Sequence, residues 1–179
     1  MKLQETCTAS QLIFDGKFVT IHQDDVQLPN GAHTKRVWIR HPGAACVLAI
    51  TPEQQVILVR QWRYAAGTAL LEVPAGKLDA NEDPSVCALR ELAEETPYCA
   101  ERVEKLAQFY TAPGFCNEIM HVYRAINISK NSQLSPDQDE IVQTVLLNAD
   151  EARAAIANGE IQDAKTLIAL NFWLNPTRT

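Results

Sequence analysis

The sequence predicts an α+β fold or an α/β sandwich, with strands mixed with helices between and after them. Three observations carry that fold class. Short β-branched-rich runs recur along the body of the chain, one amphipathic helix interrupts them, and two capped helices close the chain. At 179 residues, one domain, or one domain with an extra arm, is the default. No internal repeat, low-complexity tract or Pro/Ser-rich linker marks a boundary. A change of character does: residues 1–42 read as a polar N-terminal β-hairpin arm, and residues 43–179 as the main domain.

The arm rests on two extended runs, Lys17–Leu28 and His33–Arg40, around Pro29-Asn30-Gly31. Its Asn-Gly step favours the left-handed backbone of a tight hairpin turn. In the body, AACVLAI (44–50) and QVILV (55–59), joined by TPEQ, predict a hairpin of central, buried strands. Ala69–Val73 is a short strand stopped by Pro74. Asp83 followed by Pro84 starts a helix, because proline's missing N–H is not needed at the first helical position. The helix ends at Thr96, since Pro97 disfavours helical geometry in the residue before it. Val103–Tyr110, Ile119–Ile126 and Ile141–Leu147 are further strands. Asn148 with Glu151 forms a capping box for a helix that stops at Gly159. Asp163 caps AKTLIALNFWL, an apolar helix expected to pack on the sheet.

Composition excludes several classes. With 46% hydrophobic and 21% charged residues the chain is ordinary for a globular protein. A net charge of −6 argues against nucleic acid as a partner, which calls for clustered surplus Lys and Arg. The longest apolar run is seven residues, against roughly 20 for a membrane helix. The first ten residues hold no signal-peptide core. Five cysteines, at 7, 46, 87, 99 and 116, show no CxxC spacing, which fits reduced thiols and a cytoplasmic location. Four histidines without an HExxH pattern give no support to a zinc protease.

The acidity is concentrated in one segment. Six acids and one base lie between Asp79 and Glu95. At about 100° per residue, Val86, Leu89, Leu92 and Ala93 share an arc of about 120° and form the expected core face. Glu91, Glu94 and Glu95 share the opposite side, where offsets of three and four set them on adjacent turns. So many close carboxylates repel one another. They are either a solvated acidic face or an all-oxygen site for a hard divalent cation such as Mg²⁺ or Mn²⁺. Arg90, at the edge between the faces, is placed to pair with one glutamate and fix its orientation.

Gly76, Glu82 and Arg90-Glu91-Leu92-Ala93-Glu94-Glu95 closely resemble the Nudix box, GX5EX7REUXEEXGU, with Tyr98 as the final apolar residue. One departure is Pro97 where the motif has glycine; it alters the local turn and leaves every charged position intact. The resemblance implies the Nudix fold, an α/β/α sandwich with a mixed β-sheet between helices, and hydrolysis of a nucleoside diphosphate linked to another moiety. By that resemblance, Glu91 and Glu95 bind Mg²⁺, Glu94 is a further ligand or orients the metal-bound water, Ala75 offers its carbonyl, and Gly76 and Glu82 support the site. Arg90 and Glu94 count with the catalytic residues.

RHPGAACVLAI (40–50), VRQWRYAAG (59–67), LEVPAGK (71–77) and DAKTLIAL (163–170) resemble the ADP-ribose pyrophosphatases and their sugar-nucleotide relatives. In that branch a proline lies sixteen residues past the box glycine, as Pro113 does past position 97. The implied reaction is ADP-ribose to AMP and ribose 5-phosphate; the alternatives are GDP-mannose, an ADP-glucose type of sugar nucleotide, or a non-catalytic nucleotide sensor. Arg60 and Arg63 fork onto phosphate, stack on a base, or merely solvate a strand end. Glu72 is a candidate to reach substrate or metal. Trp62 or Tyr64 is the candidate to stack on adenine, against the commoner role of core packing. The general base of such relatives is a carboxylate on a late acidic loop, which here is Glu140 first and Asp139 second. A homodimer, with the arm crossing to the partner, also follows from the resemblance.

Overall fold

The computed structural model describes residues 3–134 and 141–175. Its chain divides into two compact units, one formed by residues 1–43 and 109–119 and the other by 44–108 and 120–179. The first holds three antiparallel strands, β1 (Thr6–Asp15), β2 (Thr20–Gln27) and β3 (His33–Arg40). β2 and β3 are the expected hairpin, with Gly31 at φ 85° and its N–H donating to the Leu28 carbonyl at 2.9 Å. His22 and Trp38 face each other across it and stack at 4.9 Å. β1 pairs with β2, Ser10 opposite Asp24, although no strand is predicted there. Its ten residues are exposed throughout, so no alternation of buried and open positions marks them.

The larger unit contains two sheets. β4 (Ala44–Leu48), β7 (Ala75–Lys77), β9 (Ile119–Ser129) and β8 (Cys99–Tyr110) are ordered β7-β4-β9-β8. β5 (Val56–Arg63), β6 (Thr68–Glu72) and β10 (Val142–Leu147) are ordered β10-β5-β6. β4 runs parallel to β9 and antiparallel to β7, so the first sheet is mixed. The expected 44–59 hairpin forms only at its turn. β4 and β5 belong to different sheets, joined by the Ile50–Val56 bridge and by the Ile57 N–H to the Ala49 carbonyl. β4 and residues 56–59 of β5 are wholly apolar and buried, and such runs carry no periodicity that names the pairing partner.

α1 (Pro84–Glu95), α2 (Ala149–Ala157) and α3 (Ala164–Leu174) match the three expected helices. Asp83 caps α1 by accepting from the Ser85 N–H, and Asn148 and Glu151 form the capping box of α2. α1 packs on β4 and β7, and α3 on β4. The core beneath α1 comprises Ala45, Val47, Ile57, Cys87, Ala88 and Leu92 with their neighbours. Burial also pushes the Cys87 thiol up to about 12.

The buried face of α1 overlaps the expected one at Leu92 and Ala93 and differs elsewhere. Val86 is 54% exposed, while Cys87, Ala88, Leu92 and the carboxylates Glu91 and Glu95 point inward. The apolar arc misled because small side chains, Cys87 and Ala88, let the helix sit close to β4, and because the glutamates meet a backbone turn instead of water.

Candidate active site

The site is built where the Glu72-Val73-Pro74-Ala75-Gly76 turn passes the inward side of α1. Gly76 is set by close approach. A Cβ built there would lie 1.9 Å from Glu91 Oε1 and 2.2 Å from its Cδ. Only a residue without a side chain leaves that carboxylate its place. Glu91 is 6% exposed and Glu95 4%. Glu95 Oε2 accepts the Ala75 N–H at 3.0 Å, so one helix ties down two successive residues of the turn.

Arg90 is the hub. Its Nε and Nη2 donate to the two oxygens of Glu82 at 2.9 and 3.0 Å. Nη1 bridges Glu91 Oε1 at 2.7 Å and Glu94 Oε2 at 2.9 Å. Hydrogen bonding to Glu82, and the field of Glu91, raise the Arg90 pKa further. The same Arg90 hydrogen bonds hold the Glu82 carboxyl below its ordinary value, helped by the Asp79 N–H. One guanidinium thus counters three carboxylates, where the sequence suggested one.

Among the described residues, no three His, Cys, Asp or Glu side chains group as metal ligands. Glu91 and Glu94 are separated by the Arg90 nitrogen they share. Their chemistry nevertheless fits a hard divalent cation. The donors are all oxygen, two are buried, and the wall behind Glu91 is shaped so tightly that a methyl group would displace it.

A second network adjoins the first. Glu72, 1% exposed, accepts a bidentate fork from Arg63, with Nε–Oε1 and Nη2–Oε2 both at 2.7 Å. Lys165 Nζ also donates to Glu72 Oε2, and lies 3.1 Å from Asp163. Burial pushes the Glu72 carboxyl up, but the Arg63 hydrogen bonds and the Lys165 charge outweigh it and hold it below its ordinary value. Arg63 is raised chiefly by Glu72, with Glu95 and Asp163 adding to it. Lys165 was not among the candidates from sequence. Its one signal is a lysine in the first turn of an otherwise apolar helix within DAKTLIAL.

The remaining candidates are dispersed. Arg60 Nη2 pairs with Glu160 at 2.6 Å. Trp62 is 60% exposed and Tyr64 92%, which removes the core-packing reading for both. Pro113 belongs to the smaller unit, in the Ala112–Phe115 turn. Asp139 and Glu140 lie outside the described residues.

The NUDIX domain matches residues 39–170, three-quarters of the chain. The chain belongs to the Nudix family. Residues 5–39 match the nucleoside diphosphate sugar hydrolase N-terminal domain. An ADP-ribose pyrophosphatase of Bacillus subtilis (strain 168) is 41% identical, over 95% of this chain and 92% of that protein. A methanol dehydrogenase activator of Bacillus methanolicus is 45% identical, over 94% and 92%. A GDP-mannose pyrophosphatase of Escherichia coli (strain K12) is 33% identical, over 96% of each. A solved ADP compounds hydrolase shares the fold, with a TM-score of 0.81 at 22% identity over 97% of this chain and 96% of that one. This Nudix protein is therefore an α+β hydrolase of nucleoside diphosphate derivatives, in a family whose chemistry uses a divalent metal. Among its described residues, no helix is long and apolar enough to cross a membrane.

Proposed function

We propose that this Nudix hydrolase cleaves the diphosphate of ADP-ribose, giving AMP and ribose 5-phosphate, with Mg²⁺ as its metal and Mn²⁺ as a substitute. The observation that carries the reading is the closure of Glu91 and Glu95 on the Ala75-Gly76 turn. The 41% identical relative named ADP-ribose pyrophosphatase supports the choice of substrate. Glu91, Glu95, Glu94 and the Ala75 carbonyl would hold the cation. When bound, it neutralises diphosphate charge and lowers the pKa of the attacking water.

The protein's own groups divide the remaining work. Arg90 screens Glu82, Glu91 and Glu94 from one another and fixes their oxygens. Gly76 gives Glu91 its room. Arg63, held by Glu72, and Arg60 present guanidinium charge to the diphosphate, and exposed Trp62 offers a face to the base. Pro113 shapes the substrate loop. Glu140, with Asp139 as second choice, is the general base. The arm of residues 1–42 joins a homodimer by crossing from the 43–179 hydrolase domain to the partner, and the protein works in the cytoplasm.

The test is turnover of a panel of ADP-ribose, GDP-mannose and ADP-glucose with Mg²⁺, then with EDTA. ADP-ribose should be preferred, with activity lost in EDTA and restored by Mg²⁺. Preference for GDP-mannose would replace the substrate and keep the chemistry. The relative named as an activator favours a second reading, a nucleotide-binding regulator. Tight ADP-ribose binding by calorimetry without hydrolysis would select it.

A further inference from the structure

The DAKT turn of α3 is not used by the metal chemistry, yet all its polar side chains point at one place. Asp163 caps α3, with Oδ2 accepting from the Thr166 N–H at 2.9 Å and from the Thr166 hydroxyl at 2.6 Å. The Thr166 oxygen in turn accepts the Val73 N–H at 2.9 Å. Lys165, between them, donates to Glu72 and sits beside Asp163. One helical turn therefore grips the carboxylate of Glu72 and the amide of Val73. Those two residues lead directly into Ala75 and Gly76, where Glu95 and Glu91 close.

We infer that Lys165 is a positioning residue for substrate. Through Glu72 it fixes the Arg63 guanidinium as a phosphate-binding group. Two observations converge on this. Glu72 is too deeply buried to meet a ligand itself, and its oxygens are taken by Arg63 and Lys165. Arg63 spends Nε and Nη2 on Glu72, while its side chain remains 39% exposed. The fork is thus anchored along one edge and open along the other.

The inference rests on the diphosphatase reading, so wild-type turnover of the panel is established first. Without it, that reading fails and the role of Lys165 is not at issue. With an active wild type, Lys165→Met, Glu72→Gln and Arg63→Lys are compared by kcat, KM and circular dichroism. Each should raise KM for the diphosphate substrate about tenfold, as expected for one misaligned charge-assisted contact, with kcat within about threefold. Lys165→Met combined with Arg63→Lys should be no worse than Arg63→Lys alone, since both act through one guanidinium. Lys165→Arg should restore KM. If Lys165→Met does not fold, Lys165→Met with Glu72→Gln removes both charges together and should show the same KM. A folded Lys165→Met with wild-type KM, or KM factors that multiply in the combination with Arg63→Lys, would overturn the inference.

Discussion

Replacing Gly76 with alanine is the sharpest single probe of the site. The added Cβ would sit 1.9 Å from Glu91 Oε1, against a normal contact of about 3.5 Å, so the carboxylate must retreat by roughly 1.5 Å. That retreat breaks its 2.7 Å bond from Arg90, a charge-assisted contact of about 1.5–3 kcal/mol. Arg90 keeps Glu82 and Glu94, and alanine narrows the unfolded ensemble by about 0.4–1 kcal/mol. The net destabilisation is therefore small, about 1–2 kcal/mol, or about 2–8 °C in Tm for a chain of this size. Activity should suffer far more, because a proposed metal ligand is displaced: a fall of about 100-fold in kcat/KM is expected. Thermal denaturation and steady-state kinetics with Mg²⁺ on the same preparation make the comparison. A folded Gly76→Ala protein with kcat/KM within threefold of wild type would show that the close approach has no part in catalysis.

Other perturbations separate charge from packing. Glu95→Gln keeps an oxygen for the Ala75 N–H, so its circular dichroism should match wild type while kcat falls at least about 100-fold; unchanged turnover would remove Glu95 from the site. Arg90→Met leaves three carboxylates without their shared cation and should cost roughly 2–3 kcal/mol. Added Mg²⁺ should then raise its Tm by more than it raises that of wild type, and equal shifts would count against a cation-binding glutamate cluster. Glu72 and Glu82 have folded pKa values below their unfolded ones. Their contribution is thus complete at neutral pH and is lost as pH falls below about 4.3 towards the depressed values. Urea midpoints at pH 7 and pH 3.5 should reveal the loss, and Glu72→Gln should lessen it; an identical acid dependence in the variant would refute the assignment.

Local chemistry made much of this legible in the sequence. The caps at Asp83, Asn148 and Asp163, the stop at Thr96-Pro97 and the Asn30-Gly31 turn act within a few residues of themselves. Gly76, Glu82 and Arg90 were legible because their spacing is fixed by one turn and one helix. Long-range partnership was not. β1 finds β2 through backbone pairing that no side-chain alternation announces. β4 and the apolar start of β5, residues 56–59, carry no periodicity that separates a full-length pairing with each other from the two sheets they join. Arg63 pairs with Glu72 nine residues away, and Lys165 reaches Glu72 across 93. No periodicity records either distance.

Pro97 sharpens what the box glycine is for. Thr96 is extended, at φ −139° and ψ 160°, the geometry that a following proline prefers. Its buried hydroxyl donates to the Leu92 carbonyl at 2.6 Å and accepts the Tyr98 N–H at 3.1 Å. A side chain here performs the helix closure that a left-handed glycine would otherwise provide. The glycine position is therefore a requirement of chain reversal, open to more than one solution, and Glu91, Glu94 and Glu95 keep their places beside it. A search pattern that insists on glycine there will pass over chains whose box glutamates are all in place.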